Sequence, residues 1–215
     1  MKQLSCAYCG KLVAKPEKED VFPRCLYPSS KNKSKVQRLK VPACSDCNRS
    51  WSDDEAHFRN MLVIAGEKPN TVRQELFGTT MARSFKHIDG PRRIQDLIAE
   101  MKPVTIANSE SYMVFPANDQ RVIHIIKKII RGLCYYHKII SPLTDQLIWA
   151  DVLKDKIPQE FLDQMSYSHR ERDIVQYKWQ VLNEEGINSI WIITFFEKVT
   201  FIGIVASENN TWLIK

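Results

Sequence analysis

Two Cys-x2-Cys hooks, Cys6-Ala-Tyr-Cys9 and Cys44-Ser-Asp-Cys47, constrain this chain of 215 residues more than any other feature. Paired hooks of this spacing are a usual way to hold tetrahedral zinc. No apolar run follows Met1, only Lys-Gln-Leu-Ser-Cys, so neither signal peptide nor anchor is expected and the chain reads as cytoplasmic. In a reducing compartment, closely spaced cysteine pairs are metal ligands and not disulfides. Four thiolates close the coordination shell, so a zinc ion there is structural. Cys25 and Cys134 stand outside the hooks and read as small buried hydrophobes.

Charge is unevenly spread. The chain carries a net +6, while residues 1 to 50 hold eleven Lys or Arg against four Asp or Glu. Five of these cations, Lys31, Lys33, Lys35, Arg38 and Lys40, fall among Ser and Asn between the two hooks. The stretch is either a solvated loop or an arm that contacts phosphate.

A hydrophobic content of 44% suffices for one sizeable core or for a small metal module joined to a second domain. The apolar periodicity lies almost entirely after residue 90, so two units are expected. An α+β chain follows: a zinc-stabilised finger over 1–65, a helical connecting region over 66–118, and a helix-plus-antiparallel-sheet domain over 119–215.

Ser52 and Glu55 form a Ser-x-x-Glu capping box, with Asp53 and Asp54 in the first turn. Phe58, Met61, Leu62 and Ala65 continue that helix at helical spacing, and Gly66 closes it. Further helical signals run from Thr71 to Leu76 and from Pro91 to about Met101, followed by a short strand over Tyr112 to Phe115. Gln120 to Lys138 is the strongest helix, its apolar stripe formed by Val122, Ile125, Ile126, Ile129, Ile130 and Leu133. Lys127, Lys128 and Arg131 interrupt the stripe, which makes it a core helix and excludes a membrane span. Strands are expected at Ile174–Leu182, Ile190–Phe196, Thr200–Val205 and Thr211–Ile214.

The segments Glu19-Asp20-Val21-Phe22-Pro23-Arg24, Val41-Pro42-Ala43-Cys44-Ser45-Asp46-Cys47-Asn48 and Ser52-Asp53-Asp54-Glu55-Ala56-His57-Phe58 resemble the zinc-containing HNH endonucleases. That family is built on a ββα-metal finger, and the resemblance covers about residues 4 to 60. It implies that Glu19 and Asn48 hold a catalytic Mg2+ or Mn2+, one carboxylate and one amide oxygen being enough for a cation that keeps several waters. Zinc then acts by fixing Cys47 and so aiming Asn48. The family's general-base histidine falls on Asp20. An ordinary aspartate, of pKa about 3.9 against about 6.5 for histidine, is the weaker base at neutral pH. Asp20 is a base raised by burial, an extra metal ligand, or the mark of lost activity.

His57 reads as a further ligand or phosphate contact, or else as a surface or interfacial histidine, and His87, His124, His137 and His169 as structural. Arg24 and Arg49 flank the expected metal site and read as phosphate contacts or as exposed arginines without a task. Trp51 reads as a cover for the zinc knuckle. The resemblance implies a metal-dependent endonuclease acting on nucleic acid, DNA before RNA, with defence-system output as one setting. The competing expectation is a catalytically degenerate zinc module that binds nucleic acid, or a protein partner through its C-terminal domain.

Overall fold

The first hook sits in the loop of a small hairpin, in which β1 (Leu4–Ser5) pairs antiparallel with β2 (Leu12–Val13). Gly10 turns that loop at a φ of +74°, a conformation that carries no Cβ penalty in glycine. The computed structural model describes residues 3–33, 37–65, 70–105, 111–116, 118–184 and 186–207. A second hairpin pairs β3 (Glu17–Asp20) with β4 (Lys40–Ala43), and the N–H of Ala7 donates to the Pro42 carbonyl at 2.8 Å, docking the first loop on it. Helix α1 (Ser45–Arg49) starts immediately after Cys44, so hairpin and helix together form a ββα unit.

The chain then passes with barely a break into α2 (Ser52–Ile64). This continuity defeats the expected capping box. Ser52 is already helical, Trp51 caps with no side-chain bond, and the Glu55 side chain is used elsewhere. The acidic first turn is as expected, while Gly66 lies outside the described residues.

Asn70 caps α3 (Thr71–Leu76) by accepting from the Arg73 N–H at 3.0 Å. A π-helical turn (Phe77–Met81) leads to α4 (Ala82–Lys86) and to α5 (Gly90–Glu100), which carries Pro91 in its first turn. The strand expected near Tyr112 is real, but it is half of a hairpin, β5 (Lys102–Thr105) against β6 (Ser111–Val114).

Helix α6 (Gln120–Tyr136) is capped by Asp119, whose carboxylate accepts from the N–H groups of Arg121 and Val122. After it come β7 (Ile148–Val152), α7 (Gln159–Asp163), β8 (Ser166–Arg170), β9 (Val175–Glu184), β10 (Ile187–Phe195) and β11 (Val199–Ala206). Their sheet is five-stranded and antiparallel, ordered β7-β11-β10-β9-β8. The sequence pattern anticipates β9, β10 and β11. Its two edge strands, β7 and β8, lack a clear apolar alternation and went unread, and the strand expected at 211–214 lies outside the described residues.

Two faces of α6 are used at once. Its apolar stripe packs on the sheet, where Gly203 leaves room for Ile130 that a Cβ would occupy. Its second face, which carries the charges that interrupt the stripe, meets the ββα unit. There Gly132 passes Val21 and Tyr8, Arg131 reaches the Tyr8 carbonyl and Asp145, and Lys128 is fully buried. The core runs without interruption from the finger into the sheet, with Phe22 and Phe58 packing edge-to-face with Phe195 at 6.4 and 5.2 Å. No helix among the described residues is long and apolar enough to cross a membrane.

The Lys128 ammonium donates to Glu19 Oε1 at 2.5 Å, to Glu55 Oε1 at 2.7 Å and to the Asp20 carbonyl at 3.0 Å. Removing one member of a buried ion-pair set strands the others, at a cost of about 3–5 kcal/mol. Lys128→Met therefore lowers Tm by about 10 °C for a chain of this size. The triple variant Glu19→Gln, Glu55→Gln, Lys128→Met recovers most of that loss. Thermal melts check both, and an unchanged Tm in the single variant contradicts the assignment.

Candidate metal centre and basic groove

The ligating sulfurs of Cys6, Cys9, Cys44 and Cys47 all lie within 4.8 Å of one another. For a metal–sulfur bond of about 2.3 Å, a tetrahedron has sulfur–sulfur edges of about 3.8 Å. The Cys9 and Cys44 sulfurs stand 3.7 Å apart, so the cluster is already of the size that a metal ion such as zinc requires.

Backbone geometry explains how it is held. Cys6 donates its N–H to the Lys11 carbonyl and receives the Gly10 N–H on its own, while the Asn48 N–H returns to the Cys44 carbonyl. The Cys44 N–H also points at the Cys6 sulfur, at 3.3 Å. Burial opposes ionisation of Cys6, yet the N–H groups of Cys9, Cys44 and Tyr8 outweigh it and bring this thiol down to about 7. Cys9 and Cys47 are pushed the other way, first by burial and then by neighbouring cysteines. Four thiolates this close repel unless a cation sits among them, which is the electrostatic requirement of a metal site.

The hairpin separates residues that sequence reasoning had grouped. Neighbours on a strand point to opposite faces. Glu17 and Glu19 share the inner face with buried Val41 and Ala43, whereas Lys18 and Asp20 share the outer face with Pro42 and Lys40. Glu19 is held by Lys128; burial pushes its carboxyl above the usual range while Lys128 pulls it back. Asn48 donates its side-chain N–H to Glu17 and makes no hydrogen bond to Glu19. Asp20 lies near Arg38 and Lys40, at 4.0 and 3.8 Å, with its buried Oδ1 making no hydrogen bond.

His57 is not drawn into this junction. It is buried, and its Nε2 meets Asp119 Oδ2 at 2.6 Å. Burial works to raise the Asp119 carboxyl, but His57 and the N–H groups at the start of α6 hold it below the ordinary value. Trp51 covers the knuckle from one side, packing on Tyr8 at 5.8 Å and on His124 at 4.8 Å. His124 pairs with Asp54, and His137 lies between Tyr177 and Trp179. Cys134 is fully buried, while Cys25 is half-buried and its thiol donates to the Glu55 carbonyl.

The basic stretch divides. Lys31 is tied to Glu171 and Asp173, at 3.3 and 2.7 Å, so it is an internal clamp and not a free arm. Lys33 ends a 3-10 turn (Ser29–Lys33), and Lys35 lies outside the described residues. Arg24 and Arg49 are exposed, Arg24 opening a short 3-10 turn and Arg49 closing α1.

Arg38 and Lys40 instead border an open groove of about 720 Å3 along the outer face of β3 and β4. Lys18 and Arg170 join them, with Leu4, Pro16, Pro42 and Tyr136 contributing apolar surface. Arg38 is steadied over the Tyr27 ring at 5.0 Å. Sequence reasoning missed Glu17, Glu55, Lys128, Asp119, Lys18 and Arg170 as participants. Strand alternation alone was enough to pair Glu17 with Glu19 and Lys18 with Asp20. Lys128 was legible only as one of the charges that interrupt the apolar stripe of α6.

Comparison of the chain with protein-family models, with curated proteins and with solved structures returned no match.

A tight metal contributes its binding free energy to folding. One zinc per chain is expected by pyridylazoresorcinol assay. Stripping it with a strong chelator, or Cys44→Ser, is expected to lower Tm by on the order of 10 °C. A chelator-insensitive melt in a metal-free sample contradicts a structural metal.

Proposed function

We propose that this protein is a zinc-framed, HNH-like ββα module that binds the phosphate backbone of nucleic acid along the outer face of its β3–β4 hairpin. The observation that carries the proposal is the open groove with Lys18, Arg38, Lys40 and Arg170 on its borders. The acids nearby are fewer: Glu17 is engaged by Asn48, and Asp20 lies 4.0 and 3.8 Å from Arg38 and Lys40. Cations spaced along a groove attract a polyanion and release its counterions, without reading sequence. Zinc supports this indirectly, by holding the first loop and α1 to the hairpin that carries the groove.

The degenerate reading is favoured over cleavage because a resident cation already serves Glu19. An ammonium at 2.5 Å neutralises the carboxylate that a divalent ion would need. Position 20 carries no imidazole, and the histidine nearest in sequence is committed to Asp119. A second reading, metal-dependent endonuclease, draws on one specific observation: β3 and α1 bring the Glu17 carboxylate and the Asn48 amide into contact at a hairpin–helix junction. In that reading a hydrated Mg2+ or Mn2+ takes oxygen donors at this junction.

Fluorescence anisotropy with a labelled oligonucleotide separates these outcomes when combined with a plasmid-nicking assay. Four phosphate contacts give a log–log salt slope of about −3. Lys18→Ala with Lys40→Ala is expected to reduce that slope by about 1.5 and to weaken binding about tenfold at low salt. The plasmid stays uncut with Mg2+ or Mn2+. Metal-stimulated nicking that Glu17→Ala or Asn48→Ala abolishes establishes the endonuclease instead, and the absence of salt-dependent binding overturns the binding reading.

A further inference from the structure

The groove does not end at the hairpin. A second hollow of about 420 Å3 adjoins it, and the two share Lys40, Val41 and Tyr136 as walls. Beyond the shared wall, Lys138 adds a further cation and Ile139 and Ile140 add apolar floor. Tyr136, the last residue of α6, stands where the hollows meet with 44% of its surface exposed. One side of its ring is braced edge-on by His137, at 5.1 Å.

This pattern discriminates between forms of nucleic acid. A duplex presents only phosphates and sugars to a protein groove unless an element enters its own grooves, so it leaves an apolar floor unused. A single strand presents both its parts: phosphates to cations on the rim, and unstacked bases to aromatic and apolar surface on the floor. Here the cations Lys18, Arg38, Lys40 and Lys138 accompany a floor of Pro16, Pro42 and Tyr136. An exposed tyrosine at the junction of two basic hollows fits a base and has no counterpart on a duplex backbone.

We infer that the combined groove is a single-strand site, in which the strand runs from Lys18 past Lys40 to Lys138 with one base stacked on Tyr136. The inference rests on the nucleic-acid reading above and specifies its ligand. Stacking needs the ring and not the hydroxyl, so phenylalanine serves at position 136 and alanine does not. The side chain is exposed and takes part in no hydrogen bond among the described residues, so its replacement leaves the fold intact.

The test compares labelled oligothymidine with a blunt duplex of equal length, both at low salt, using the zinc-loaded full chain. The single strand is expected to bind about tenfold more tightly than the duplex. Tyr136→Ala is expected to weaken single-strand binding about tenfold and leave duplex binding unmoved, while Tyr136→Phe retains wild-type behaviour. Duplex binding equal to or tighter than single-strand binding overturns the inference but leaves the nucleic-acid reading standing. Tyr136→Ala without effect on a strand that does bind overturns the stacking assignment. Failure to bind either probe overturns the underlying reading as well.

Discussion

A single buried ammonium holds three elements of this protein together. Lysine has three N–H donors, and Lys128 spends them on Glu19 of β3, Glu55 of α2 and the Asp20 carbonyl, with no surface left exposed. Desolvating the amine is expensive, and only a complete set of acceptors offsets it. The set forms only when hairpin, α2 and α6 take their native places together, so this interaction bears on their arrangement more than on net stability. It also bears on chemistry. Glu19 is the residue that the family resemblance assigns to a divalent metal, and here a side chain supplies the cation.

The four-cysteine cluster works by a different constraint. Cys6 and Cys9 turn on Gly10, while Cys44 and Cys47 flank and enter α1, so their sulfurs meet only when the first loop docks on β4. The four-cysteine cluster and Lys128 thus tie the hairpin to the rest of the protein at two separate points. The groove on the hairpin's outer face is the surface to which we attribute function, and its cations come from both ends of the chain: Lys18 and Lys40 near the hooks, Arg170 from the sheet.

Local patterns made much of this legible in sequence. The cysteine hooks announced their cluster through spacing alone, and the 3.6-residue stripe in α6 and the alternation in β9 to β11 announced the core. What escaped reading depended on tertiary placement. Lys128 and Arg131 read only as charges that interrupt a core helix, because nothing local says what covers them. Lys31 looks like part of a phosphate-contacting arm until Glu171 and Asp173, distant in sequence, are brought beside it. Adjacency misled in the opposite sense at Glu19 and Asp20, since strand geometry sends neighbours to opposite faces.

The central claim is that Glu19 serves Lys128 and not a catalytic ion. Electron paramagnetic resonance of Mn2+ added to zinc-loaded protein tests it most directly. No stoichiometric bound Mn2+ is expected in the wild type, and the signal does not change in Glu19→Gln. One tightly bound Mn2+ per chain in the wild type, lost in Glu19→Gln, contradicts it.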